Sequence, residues 1–354
     1  MTGRRTGRVA QLTALVVGAG SIGRRHARNL RGLGCAHVAI CDPDAERRHA
    51  AAEDASAGLH ADVETALSAV APDVVIVCTP PSSHVAVARA AVAAGAHVLI
   101  EKPLSDSMER VDALAAEASA ARRVVQVGYN LRFHPGIRQL KAIVEDGDIG
   151  GVLLASAEFG QYLPDWRPWQ DYRQSYTARH SLGGGIILDG SHEIDYVLWL
   201  LGAPTELACM AGRVSALEMD VEDAATILLR MAGGAQASVS LDCVRRTYTR
   251  RCTLIGEAGT ASWDYTANEV VVHCAGDVLP TRIAYEFAPN DMYVAELEAF
   301  LVAVTQGGPS PVGLHDAELT LRVALAARYA AHTRSWTYVV SDAGLLGHHA
   351  VAVV

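Results

Sequence analysis

The chain has no Cys-x-x-Cys pair, no uncharged apolar run of 18 residues, no excess of basic charge and no internal repeat. Each absence removes a class of protein. Its seven cysteines (35, 41, 78, 209, 243, 252, 274) form an odd set, several inside apolar strand-like runs such as 74–78. Small buried thiols in a reducing compartment are expected, rather than disulfides or a zinc site. No acidic triplet or His/Cys cluster suggests a metal, and none is expected. Without the long apolar run there is no membrane helix. A net charge of −9 argues against a nucleic-acid surface, which needs a clustered basic face. The short arginine clusters at 4–8 and 245–251 read as solvated surface. What remains is half apolar and 19% charged, a globular composition, and 354 residues suit two domains.

Residues 1–20 superficially resemble an export signal, with arginines, an apolar stretch and then small residues. Gln11 and Thr13 interrupt the stretch, and cleavage after it would remove the strand that precedes a glycine-rich turn. Residues 1–9 are therefore expected to be a loose extension of a cytoplasmic protein. Residues 12–17 read as a short buried-type strand, followed at once by Gly18-Ala19-Gly20-Ser21-Ile22-Gly23 and a helix over 22–32. Glycines in this strand–turn–helix setting allow a tight turn, close approach of the backbone to a pyrophosphate, and close helix packing. A second strand at 36–41 ends at Asp42, 19 residues after Gly23. An acid there accepts both adenosine-ribose hydroxyls and repels a 2′-phosphate; the alternative is a turn residue in Asp42-Pro43-Asp44. NAD is the expected cofactor, and Arg47 and Arg48 leave NADP open. Strands at 74–78, 97–100 and 124–127 alternate with helices at 84–94 and 108–121, which predicts a parallel sheet with helices on both faces. Thr79-Pro80-Pro81, Glu101-Lys102-Pro103 and Tyr129-Asn130 all fall at strand ends, where such sheets bind ligands.

Past Gly128 the pattern changes. A helix at 135–145, an alternating stretch at 152–160 and a Trp/Pro/Tyr-rich segment at 162–176 precede a helix over 186–201. Strand-like segments follow near 205–214, 224–231, 235–243, 248–255 and 260–266, then helices near 291–306 and 315–332. Their turn signals indicate a largely antiparallel sheet, and an apolar face left uncovered would suit a homodimer or homotetramer. The expected division is a dinucleotide-binding domain over 10–128, an α+β domain over 129–339 and a tail over 340–354. Asp189 and His192 lie three apart in the 186–201 helix and would share a face. Gly183–Gly185 before them would let a ligand approach closely. The plainer alternative is that Asp189 and Asp195 favour the helix dipole and His192 is an ordinary buried histidine.

Taken together, these residues resemble the glucose-fructose oxidoreductase/inositol dehydrogenase (Gfo/Idh/MocA) family. The carriers are the 18–23 turn, Thr79-Pro80-Pro81-Ser82-Ser83-His84, Glu101-Lys102-Pro103, the 128–135 segment from Gly128 to Pro135, and 183–202. The resemblance spans about residues 10–335 and implies an α/β fold: a Rossmann domain, then an α+β domain with a large open-faced, mainly antiparallel sheet. It implies an NAD(P)-dependent dehydrogenase that oxidises a secondary hydroxyl of a sugar, cyclitol or nucleotide-activated sugar, or reduces the ketone. Lys102, Asp189 and His192 are carried over as catalytic. The cofactor would lie against Gly18, Gly20, Ser21, Ile22, Gly23, Asp42, Thr79, Pro80, His84, Glu101, Lys102 and Asn130. Substrate contacts are expected from Lys102, Asn130, Arg132, Tyr162, Trp166, Arg173, Asp189 and His192, with His134 and Tyr176 nearby. Many family members place the acid four residues before the histidine, whereas here the gap is three. Either His192 or Lys102 could remove the hydroxyl proton. Two other readings keep the fold: an NAD-dependent glycosidase or epimerase that makes no net NADH, and a non-catalytic NAD/sugar sensor.

Overall fold

The computed structural model describes residues 9–339, so the expected extension (apart from residue 9) and tail lie outside the described residues. The described residues form two compact units, one of residues up to 130 with 289–318, the other of 131–288 with those from 319 on.

In the first unit six strands run β1 (Thr13–Val17), β2 (His37–Cys41), β3 (Leu59–His60), β4 (Val74–Val77), β5 (His97–Glu101) and β6 (Val125–Gly128). They pair in parallel in the order β3-β2-β1-β4-β5-β6. β4 is wholly buried and β1 is buried from Ala14 onward, as continuous apolar runs should be when helices cover both faces of a sheet. The strand order reverses between β1 and β4, the point at which such sheets bind ligands beyond their carboxyl ends. Two short helices, Ala45–Ala50 and Val63–Val70, are additions to the expected pattern. Each begins at an aspartate, Asp44 or Asp62, whose carboxylate accepts backbone N–H groups of the first turn. The expected division assigns 129–339 to the second domain. Residues 289–318 instead return to the first unit, where Leu297, Phe300 and Leu301 of the Asp291–Gln306 helix join the core beside Val16, Leu30 and Ile76.

Among the described residues the second unit has nine strands: β7 (Val152–Gly160), β8 (Pro204–Gly212), β9 (Ala224–Met231), β10 (Gln236–Asp242), β11 (Thr249–Gly256), β12 (Gly259–Asp264), β13 (Glu269–Cys274), β14 (Thr281–Ala284) and β15 (Thr337–Tyr338). Their order is β14-β13-β12-β11-β7-β10-β9-β8-β15. Neighbours are antiparallel except β7 and β10, which run parallel. β13, β14 and β15 had no counterpart in the sequence reading. Strict alternation gives the sheet two faces. Ala157, Phe159, Ile227, Leu229, Val239, Leu241, Leu254 and Trp263 are buried on one face. Leu154, Met210, Leu228 and Ile255 are exposed.

The expected 186–201 helix is two helices, Ile186–Asp189 and Ser191–Leu201, separated at Gly190. A side chain at Gly190 would press on Leu241 at 2.9 Å. Asp189 therefore ends one helix and His192 sits in the first turn of the next, so they do not share a continuous helical face.

Candidate active site

Within the first unit the glycine turn is built for close approach. Gly18 has φ +103°, and a Cβ there would meet the Cys78 carbonyl oxygen at 2.5 Å; at Gly23 it would strike the Gly18 carbonyl. Gly20 has open space on its side-chain face. The Ser21–Gly32 helix that follows has no acid in its first turn and no side-chain cap at Gly20, so its leading N–H groups and dipole are available to an anion. This combination fits a dinucleotide pyrophosphate. Asp42, at the end of β2, is 3% exposed; one carboxylate oxygen accepts the Ala19 N–H at 2.7 Å and the other the Asp44 N–H at 2.9 Å. It is thus tied to the glycine turn.

Thr79 follows β4, Lys102 follows β5 and Asn130 follows β6, so all three stand at the carboxyl edge of the sheet. Glu101, the last residue of β5, bonds His26 Nε2 at 2.7 Å and accepts the Lys102 backbone N–H at 3.3 Å. Burial works to raise the Glu101 carboxyl. The His26 bond and the charges of His26, Lys102 and His84 outweigh it and hold the group below the usual carboxylate range. Glu296 brings a third potential ligand atom within 4.8 Å of those of His26 and Glu101. The His26–Glu101 bond gives that grouping a role without a metal. His84 was expected among the cofactor contacts, yet it is buried and both its ring nitrogens meet backbone carbonyls. It fastens the loops rather than offering a nitrogen to a ligand.

In the second unit Asp189 is 6% and His192 7% exposed. Tyr176 donates its hydroxyl to one Asp189 oxygen at 2.5 Å, and Thr177 donates to the other at 2.6 Å. Backbone bonds fix the same segment: Gly185 N–H to the Thr177 carbonyl at 2.9 Å, and Asp189 N–H to the Gly185 carbonyl at 3.0 Å. Gly183–Gly185 was expected to clear room for a ligand. A Cβ on Gly184 would instead strike the carbonyls of Tyr176, Thr177 and Arg179, and one on Gly185 would strike Arg328 and Glu222. The two glycines serve close packing of the chain on itself.

The other expected substrate residues divide. Arg132 is 7% exposed, and its fork is held by both oxygens of Asp195 at 2.8 and 2.7 Å, so it is a buried structural pair rather than an open anion clamp. Arg173 is an exposed partner of Asp171 and Glu218. Tyr162 carries the Arg246 guanidinium 3.5 Å over its ring, and Trp166 donates to the Gln161 carbonyl at 3.0 Å; both remain partly accessible. His134 lies fully buried among Trp263, Tyr265, Tyr285 and Phe287. That cage removes it from substrate contact. Thr177 and the Glu193–Arg250 ion pair (2.8 Å), one residue from His192, were not anticipated. Their partners lie 12 and 57 residues away, beyond any local periodicity.

Residues 12–129 match the model of an oxidoreductase family with an NAD-binding Rossmann fold, and residues 137–262 match the GFO/IDH/MocA C-terminal domain. The chain is 32% identical to inositol 2-dehydrogenase 4 of Saccharopolyspora erythraea, over 84% of this chain and 87% of that protein. It is 30% identical to UDP-N-acetylglucosamine 3-dehydrogenase of Acidithiobacillus ferrooxidans, over 83% and 89% respectively. The fold is similar to that of levoglucosan dehydrogenase solved with NADH and levoglucosan, with a TM-score of 0.84 at 21% identity, covering 93% of this chain and 100% of that one.

Proposed function

The chain belongs to the GFO/IDH/MocA family of NAD-binding oxidoreductases, and from that premise we propose that it is an NAD-dependent dehydrogenase acting on a secondary hydroxyl of a sugar or cyclitol. The observation that carries the reading is the retained equipment: a glycine turn with room over Gly20, Lys102 at the end of β5, and a buried Asp189–His192 pair at the Gly190 break. The relatives named for inositol, for UDP-N-acetylglucosamine and for levoglucosan support a polyhydroxylated ring as substrate.

Bound NAD⁺ supplies the acceptor for the hydride leaving the carbinol carbon. His192 removes the hydroxyl proton as that hydride departs, general-base work for which imidazole is the usual side chain. Lys102 donates a hydrogen bond to the reacting oxygen and stabilises its developing negative charge, a contribution of about 2.7–4 kcal/mol in comparable sites. Asp189 keeps its carboxylate oriented through Tyr176 and Thr177 and holds His192 or a neighbouring substrate hydroxyl in place. Alcohol and NAD⁺ thus become ketone, NADH and one proton. The buried carboxylate of Asp42 favours NAD over NADP.

The exposed face of the nine-stranded sheet supports a homo-oligomer formed through it: Ile255 on β11, Leu154 on β7, Leu228 on β9 and Met210 on β8 all stand on that face, among the polar Ser156, Ser238 and Thr253. Free cysteines at seven positions favour a reducing, cytoplasmic compartment. Among the described residues no helix is long and apolar enough to cross a membrane.

The test is a panel of inositols, aldoses and nucleotide sugars with NAD⁺, followed by absorbance of the reduced cofactor. Lys102→Ala and His192→Ala should each lower kcat on the active compound by about 10²–10⁴-fold with NAD⁺ affinity largely kept. Wild-type rates in both variants would refute the assignment. Product formation without net NADH would move the protein to the glycosidase or epimerase class.

A further inference from the structure

His84 opens the His84–Ala93 helix and is 1% exposed. Its Nδ1 lies 2.8 Å from the Pro103 carbonyl oxygen, and its Nε2 lies 2.7 Å from the Thr79 carbonyl oxygen. A carbonyl oxygen has no proton to give, so each bond requires the ring to donate. A neutral imidazole has a single N–H; at the other nitrogen it would hold lone pair against lone pair at less than 3 Å.

We propose that His84 is held as an imidazolium that clips the loop after β4 to the loop after β5, fixing the backbone that carries Lys102. It is a positioning residue. The clip itself stands on geometry, and its kinetic consequence rests on the NAD-dependent reading above.

The charges around the ring bear on this. Burial opposes a charged ring and pulls its pKa below the ordinary histidine value, while the two carbonyl bonds, Glu101 and Asp106 act the other way. Charge-assisted hydrogen bonds are roughly twice as strong as neutral ones, and here two form on one ring with two carboxylates acting in their favour. The surrounding elements add no opposing cation at the ring. β4 and the Pro81–Ser83 turn carry no charged side chain. Cys78 is driven well up by burial and stays a neutral thiol. Lys102 and His26 both act on Glu101. On the Val111–Ala121 helix Glu117 pairs with Arg89 and Asp112 faces solvent, as does Glu64 on Val63–Val70. Raising the pH through the ring's pKa frees one carbonyl, so the fastening loosens on the alkaline side.

Histidine-selective ¹⁵N spectra of the full chain at pH 7 and 8, with His84→Gln for assignment, decide the matter. The expected result is one imidazole with both nitrogens protonated at pH 8, missing from the His84→Gln spectrum. A neutral ring at His84 at both pH values would overturn the proposal. If His84→Gln does not fold, the wild-type spectrum still decides, because the absence of any doubly protonated ring at pH 8 among the 14 histidines overturns it. Kinetically, His84→Leu should raise KM for NAD⁺ about tenfold or more, with His84→Gln intermediate; unchanged KM and kcat in both would remove the positioning role. Failure of the wild type to reduce NAD⁺ on every compound would retire the dehydrogenase reading and leave the spectroscopic answer standing.

Discussion

Tyr176 and Asp189 share a 2.5 Å hydrogen bond across 13 residues of chain, and the tyrosine is the donor. The bond aligns one carboxylate oxygen while Thr177 aligns the other. Tyr176→Phe removes the donor and little volume. It should lower kcat/KM by about 10–100-fold, the usual cost of losing a group that orients a catalytic side chain. Thr177→Val should cost less, and the double variant should cost less than the product of the two. Steady-state kinetics on the three proteins checks this; full activity in Tyr176→Phe would mean that Asp189 needs no outside orientation.

Arg132 and Asp195 form a bidentate pair that is almost fully buried, with Thr320 adding a 3.3 Å bond to Asp195. Removing one partner strands a charge in the interior. Asp195→Ala should destabilise the protein by about 3–5 kcal/mol, and Arg132→Met with Asp195→Leu should recover much of that loss. Denaturant titration at constant pH gives both numbers. Equal loss in the single and double variants would show that the pair is not the source.

His134 is pushed down to about 3 by burial in its aromatic cage, aided by the Arg250 charge. Its folded pKa is depressed relative to about 6.5 in the unfolded chain. Above pH 6.5 both states are neutral and the group has no effect on stability. Below it the unfolded chain binds the proton first, so stability falls by up to about 1.4 kcal/mol per pH unit toward pH 3. Stability of the wild type and of His134→Phe, measured from pH 7 to 4.5, should diverge in slope by that amount; parallel curves would show that His134 protonates while folded.

The outward face of the nine-stranded sheet gives a fourth expectation. Leu228→Asp with Ile255→Asp places charges at two exposed apolar side chains of that face, 46% and 41% accessible. Sedimentation velocity should move from an oligomer to a monomer while the isolated subunit keeps its circular dichroism. An unchanged sedimentation coefficient would place the contact elsewhere.

The first unit was readable because its signals are local. Buried strands such as 74–78 are unbroken apolar runs, the glycine turn is contiguous, and Asp42 sits at a fixed distance from it. The small helix at Ala45–Ala50 was missed because it buries no residue and depends on its Asp44 cap, and Val63–Val70 because its apolar stripe of Val63, Ala66, Leu67 and Val70 spans only two turns. In the second unit alternation revealed β8 to β12, but the parallel pairing of β7 with β10 joins segments some 80 residues apart and leaves no mark on either. Lys102, Asp189 and His192 were visible as residues. The Gly190 break between the last two was not, because the apolar pattern continues through it, and a side chain there is crowded by the Ile186 carbonyl oxygen and by Leu241, 51 positions later. Arg132 was misread for a similar reason: an arginine beside aromatics suits a ligand until its partner, 63 residues on, is known.

The return of the Asp291–Gln306 helix to the first unit has a consequence for how the chain comes into being. Leu297, Phe300 and Leu301 complete a core begun by residues 14–40. During synthesis at about 5–20 residues per second, the nascent nucleotide-binding half emerges roughly ten to thirty-five seconds before its missing wall. Until then the ribosome displays an open apolar surface, and a fragment ended at residue 130 would keep that surface permanently.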